Sequence, residues 1–109
     1  MKKHLFAATG AAALALGAMN GAAAADAAKV EALLKQHNCI SCHGTDKKIL
    51  GPAYKDVAKK YKGQKNAVAL LVKKVKAGGK GAWGPVPMPP NDKAGDAEIK
   101  LMVEWILSL

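Results

Sequence analysis

Residues 38–44 read Asn-Cys-Ile-Ser-Cys-His-Gly, with Cys39 and Cys42 two residues apart and His43 directly after the second. These are the only two cysteines in a chain of 109 residues. Four readings compete: a disulfide, half of a zinc site, a thiol redox pair, or a place to attach something. The choice decides the fold, because the rest of the chain builds its core either alone or around a guest.

The chain opens MKKHLFAATGAAALALGAMNGAAAADAAKV. Lys2 and Lys3 form a positive start, Leu5 to Met19 a weakly apolar stretch, and Ala23-Ala24-Ala25 a small-residue cleavage pattern. Residues 1–25 are therefore expected to be a signal peptide that is cleaved, leaving one domain over 26–109. The competing reading is an uncleaved anchor, since Leu5–Ala25 approaches the ~20 apolar residues needed to span a bilayer. Its glycines, Thr9, Asn20 and the cleavage pattern favour removal. Past that point the longest apolar run, Ala67–Val72, is far too short to cross a membrane. The expected product is soluble, exported and exposed to an oxidising compartment.

Such a small domain gains only about 3–5 kcal/mol from its own core. With Phe6 lost in the signal, the aromatics are Tyr54, Tyr61, Trp83 and Trp105. Something large and apolar is expected to complete the interior. All 17 basic residues are lysine, and the net charge is +9. The excess is local: Lys55, Lys59, Lys60, Lys62, Lys65, Lys73, Lys74, Lys76 and Lys80 face Asp56 alone within residues 55–80. Most of these serve a solvated surface, but a one-sided basic field also steers acidic partners. The absence of arginine and of aromatics interleaved with the lysines, together with export, argues against nucleic acid.

Val30, Leu33, Leu34 and His37 fall at helical spacing, and Asn38 can take the left-handed position that closes such a helix. Gly51-Pro52 is expected to begin a second helix with Tyr54, Val57, Ala58 and Tyr61 inward, ended by Gly63. Residues 65–77 carry Val68, Leu71, Val72 and Val75 on one face, and Gly78-Gly79 stop them. The stretch GAWGPVPMPPND, 81–92, has prolines at 85, 87, 89 and 90, which forbid helix and central strand alike. A last helix is expected from about Asp96 to Ser108, with Ile99, Met102, Trp105, Ile106 and Leu109 on its apolar side. No alternating strand pattern, repeat or linker is visible.

C-x-x-C-H is the attachment signature of c-type haem. Each thiol adds to one of two vinyl groups, and two intervening residues let a turn place both sulfurs along one porphyrin edge. His43, fixed beside the second thioether, can then turn onto the iron. The rivals are weaker. Structural zinc wants four ligands, commonly two such pairs, and the only other histidine past residue 25 is His37. A thioredoxin-like dithiol needs a βαβ context. A disulfide closing so short a loop would restrain little of the unfolded chain. For the second axial ligand Met88 is favoured, because Pro87 and Pro89 would hold its thioether in an extended loop. Met102, on a helical apolar stripe, reads as packing. His37, only two residues before Cys39, should not reach the opposite haem face and is expected to be a partly exposed helix residue. His/Met ligation is known for cytochromes c.

With Cys39-Ile40-Ser41-Cys42-His43, Gly51-Pro52-Ala53-Tyr54 and Gly84-Pro85-Val86-Pro87-Met88-Pro89-Pro90-Asn91 in place, the chain resembles a small bacterial class I c-type cytochrome of the c-551 type. The resemblance covers essentially all of 26–109. It implies an all-α class I cytochrome c fold, four to five short helices around one haem c covalently held by Cys39 and Cys42, with the first and last helices crossing. It further implies that the Pro52 carbonyl fixes the His43 ring, that Asn91 bonds near the Met88 sulfur, and that Trp83 donates its indole N–H to a haem propionate, simple packing being the alternative for Trp83. The family's usual propionate arginine is absent, and Lys74 is the nearest match, offering a point charge instead of a planar fork. The connection from Asn91 to Trp105 is slightly longer than the family's.

The implied function is that of a monomeric periplasmic electron carrier, not an enzyme, docking through lysines to acidic patches on redox proteins. By family analogy these are nitrite reductase, a terminal oxidase or cytochrome c peroxidase. No stable membrane insertion is expected after cleavage. The rival functions are a haem-based ligand sensor or haem enzyme in which Met88 detaches, and a dithiol or zinc module without haem.

Overall fold

Helix α1 occupies residues 27–36 of the computed structural model, which describes residues 27–109. The expected signal segment and its cleavage point lie outside the described residues. Val30, Leu33 and Leu34 are buried, as their spacing requires. Asn38 closes the helix in the left-handed conformation, φ 61° and ψ 26°, a turn that asparagine tolerates among non-glycine residues. A single 3-10 turn, Cys39–Ser41, follows at once.

Helix α2 spans Tyr54–Tyr61 and buries Tyr54 and Ala58. It starts later than Gly51-Pro52, the expected beginning. A residue before proline is pushed out of the helical region, and Ala53 is still extended. The first N–H groups of α2 bond back to the preceding loop instead, Tyr54 to the Gly44 carbonyl at 2.9 Å and Lys55 to that of Thr45 at 3.1 Å. The cysteine loop is thereby tied to α2. Helix α3 spans Ala67–Ala77. Helix α4 spans Asp96–Leu107, with the Glu98 carboxylate accepting from the Gly95 N–H just before it. Leu109 falls beyond the helix and is exposed, contrary to its expected place on the apolar side.

The core joins α1, α2 and α4 through Val30, Leu33, Leu34, Tyr54, Ile99, Met102 and Val103. Val68, Leu71, Val72 and Val75 of α3 pack against it, half-buried. Lys76 of α3 forms an ion pair with Asp96 at the start of α4.

The expectation of no strand is corrected. Gly79–Gly81 (β1) and Gly84–Met88 (β2) form an antiparallel two-stranded ribbon with an irregularity in its register. Pro85 and Pro87 are tolerated because such a ribbon is all edge, where a missing N–H costs no ladder bond. Alternation gave no signal, because β1 is glycine on both ends and neither strand buries a face.

Candidate haem-binding site

The His43 ring is held on three sides. Its Nδ1 lies 2.7 Å from the Pro52 carbonyl oxygen. A carbonyl only accepts, so Nδ1 carries the proton and Nε2 is left as the lone-pair nitrogen. The ring stacks on Tyr54, with centroids 5.3 Å apart and planes 21° from parallel. On a third side the backbone of Gly51 comes so close that a Cβ there would meet His43 Cε1 at 2.5 Å. Gly51 is bound in turn to the cysteine loop, its N–H donating to the Cys42 carbonyl at 2.8 Å. Trp105 meets Tyr54 edge-on, so α4 backs the stack. A cavity of about 320 Å³, lined by Leu34, Ile40, His43, Ile49, Tyr54 and Trp105 among others, opens beside the ring.

Both cysteines are free thiols and half-buried at the 3-10 turn. Burial pushes the Cys39 thiol above its ordinary range, a backbone hydrogen bond offsets part of the rise, and Cys42 adds to it. Among the described residues no cluster of three or more His, Cys, Asp and Glu is placed to hold a metal ion. His37 is partly exposed, as expected, in the turn that ends α1, with its side chain 9% accessible. Its Nε2 lies 3.3 Å from Glu98 Oε1, near enough for an ion pair but without the alignment of a hydrogen bond. It thus links the end of α1 to the first turn of α4.

Met88 is the last residue of β2 and is half-buried, whereas Met102 is buried in the core of α4. Asn91 donates its N–H to the Val75 carbonyl at 3.0 Å and accepts from the Ala94 N–H through Oδ1 at 3.2 Å. That fixes its side chain with the NH₂ as the remaining donor, the group a thioether sulfur could accept from. Trp83, in the turn between β1 and β2, is 41% exposed. The Lys60 ammonium lies 4.5 Å from its ring centroid and also donates to the Ala82 carbonyl at 2.9 Å. Lys74 is half-buried, with its ammonium end beside Gly79 of β1.

The sequence model of the family described as Cytochrome c matches residues 27–109. The chain belongs to the cytochrome c family. It is 54% identical over 79 residues to cytochrome c-552 of Hydrogenobacter thermophilus, covering 72% of this chain and 80% of that one. To cytochrome c-551 of Pseudomonas aeruginosa it is 49% identical over 78 residues, covering 72% and 74%. The crystal structure of Nitrosomonas europaea cytochrome c552 superimposes with a TM-score of 0.70 at 46% identity, over 72% of this chain and 98% of that one. A class 1 cytochrome from Sideroxydans lithotrophicus does so with 0.65 at 39% identity, over 76% and 95%. The chain is a small class I c-type cytochrome with the fold of that class, and an electron carrier.

Membership implies one covalently bound haem c, and this cytochrome's own residues fit it. Two free thiols and a histidine share one short loop. The imidazole is oriented by a carbonyl and presents one nitrogen. Apolar Ile40 and Ile49 line the cavity beside it. Sequence reasoning missed two contributors: Gly51, whose backbone abuts the His43 ring and whose place directly before Pro52 was the available signal, and Lys60, which holds Trp83 and the Ala82 carbonyl.

Proposed function

We propose that this cytochrome is a periplasmic, monomeric shuttle of single electrons, in which Cys39 and Cys42 would attach haem c and His43 and Met88 would ligate its iron. The bound haem supplies a reversible one-electron change between ferrous and ferric iron. The protein residues set the conditions. Pro52 holds the imidazole in one tautomer and orientation and raises its basicity as a ligand. Met88 offers a soft neutral sulfur, and together with burial it favours the ferrous form. Asn91 offers its NH₂ near that sulfur. Trp83 and Lys74 offer an N–H and an ammonium to the propionates. With His43 and Met88 both serving as ligands, the iron would offer no open site to a substrate, which is why the reading is a carrier and not an enzyme. Exposed lysines guide brief docking to acidic patches on redox partners, by family analogy nitrite reductase, a terminal oxidase or cytochrome c peroxidase.

The observation that carries the reading is the 2.7 Å contact between His43 Nδ1 and the Pro52 carbonyl, which prepares Nε2 as a ligand from the same loop as two cysteines. The test is Met88→Ala in the haem-loaded protein. The weak ferric charge-transfer absorption of methionine-ligated iron should vanish, the potential should fall, and added carbon monoxide or imidazole should bind, with the haem still covalently held. Retention of that absorption rejects Met88 as ligand. Prompt carbon monoxide binding by the unmodified ferrous protein at neutral pH points instead to a sensor with a displaceable methionine.

A further inference from the structure

Gly78 ends α3 with φ 71° and ψ −169°, a region essentially closed to any residue but glycine. Its surroundings are as restrictive as its dihedrals. A Cβ at Gly78 would lie 2.5 Å from the carbonyl oxygen of Met88, 2.7 Å from the nitrogen of Pro90 and 2.9 Å from the carbonyl carbon of Pro89. All three are backbone atoms, so no side chain can swing aside to make room. The last turn of α3 holds the same stretch at a second point, where the Asn91 N–H donates to the Val75 carbonyl at 3.0 Å. The turn is itself closed by the Gly78 N–H on the Lys74 carbonyl at 2.7 Å. Gly79 then pairs with Met88 across the ribbon.

We propose that Gly78 is a positioning residue for Met88: the end of α3 seats the Met88–Asn91 backbone directly against a glycine, and this contact sets where the thioether is presented. The inference rests on Met88 being the axial ligand. The prolines stiffen the segment along its own length, while Gly78 fixes its distance from the rest of the protein. A stiff segment displaced as a whole carries its methionine with it, so a single added methyl group acts on the sulfur from outside the loop.

Other glycines separate this effect from ordinary backbone strain. Gly81 has φ 107° and Gly63 φ 81°, yet a Cβ at either would find nothing within 4 Å among the described residues. Alanine there imposes an unfavourable dihedral and no collision. The experiment compares Gly78→Ala, Gly81→Ala, Gly63→Ala and Met88→Ala as haem-loaded proteins, well below their unfolding midpoints. It reads the ferric charge-transfer absorption and the affinity for added imidazole. Gly81→Ala and Gly63→Ala should lose stability but keep both properties. Gly78→Ala should lose most of the absorption and bind imidazole at least tenfold more tightly. If Gly78→Ala matches the other two glycine variants while Met88→Ala loses the absorption, the ligand stands and the positioning role is overturned. If Met88→Ala keeps the absorption, both fall. Should Gly78→Ala fail to load haem, hydrogen exchange in the unmodified protein gives the answer. Displacing the sulfur with imidazole should speed exchange at the Gly78 and Asn91 amides at least fivefold and leave that of Gln64 unchanged. Equal protection with and without imidazole overturns the proposal.

Discussion

Tyr54 is 4% exposed, and its hydroxyl has no hydrogen-bond partner among the described residues. The ring has a clear role, stacked on His43 and met edge-on by Trp105. The hydroxyl does not, and a buried unpaired donor costs about 1–3 kcal/mol. Burial, foremost, pushes the phenol well above the usual tyrosine range, with Cys39 and Cys42 adding to it. Once those sulfurs are thioethers only burial remains, and the direction stands. A phenol raised in the folded state is protonated in both states below pH of about 10, the ordinary value. Above that, the unfolded chain releases its proton first and stability falls by about 1.4 kcal/mol per pH unit for one group. Tyr54→Phe should therefore be at least as stable as the parent at pH 7, and its advantage should widen between pH 10 and 11. Denaturant unfolding of the haem-loaded proteins measures both. Parallel stability curves across that range would contradict the assignment. At this scale the sequence was informative where chemistry is local. Asn38 announced its left-handed turn, and the spacing of Cys39, Cys42 and His43 announced that one short loop carries all three. It was silent where a partner comes from far along the chain, as Glu98 does for His37.

Among the elements, the helices were legible because their apolar residues recur on one face, and their glycine stops are local. The β1–β2 ribbon was not legible. It is held by backbone pairing of Gly79 with Met88 and of Gly81 with Gly84, so side-chain patterning carries no trace of it. The delayed start of α2 escaped notice for a related reason: its first N–H groups are satisfied by Gly44 and Thr45, residues of a loop with no periodicity. The two methionines show how placement separates like side chains. Met88 ends an exposed ribbon, whereas Met102 is 3% exposed inside the α1–α2–α4 core. Met102→Ala should leave a cavity and cost about 2–5 kcal/mol. That is a large share of the roughly 5–15 kcal/mol that holds a typical domain folded. The denaturation midpoint should drop sharply while the ferric charge-transfer absorption persists at temperatures where the protein is folded. Loss of that absorption in the folded Met102 variant would transfer the ligand role from the ribbon to α4.

For the whole molecule, the basic field is distributed unevenly in its duties. Lys55 and Lys76 are paired with Asp46 and Asp96, Lys60 leans on Trp83 and the Ala82 carbonyl, and Lys74 is half-buried beside β1. Lys59, Lys65 and Lys73 are exposed and take no part in the salt bridges found among the described residues. Their charge is therefore available to act at a distance. Reversing all three to Glu should leave stability within about 0.5 kcal/mol per site, as for surface positions without a structural partner. Association with an acidic redox partner should slow by about 10-fold or more at low salt, because electrostatic steering raises encounter rates by 10–10³. The parent's rate should fall steeply as salt is added and approach the variant's, since a Debye length of about 8 Å at physiological ionic strength screens a field of this kind. Lys60→Glu belongs in a separate experiment. It would also free the β1–β2 turn, so any change in rate would mix steering with displacement of Trp83. Stopped-flow electron transfer across a salt series distinguishes the two. The triple reversal should flatten the salt dependence without shifting the spectrum, whereas Lys60→Glu should alter rates even at high salt. Rates that are flat with salt in the parent would assign the lysine excess to solubility alone and leave partner choice to exposed apolar residues such as Ile40, Leu50 and Val86.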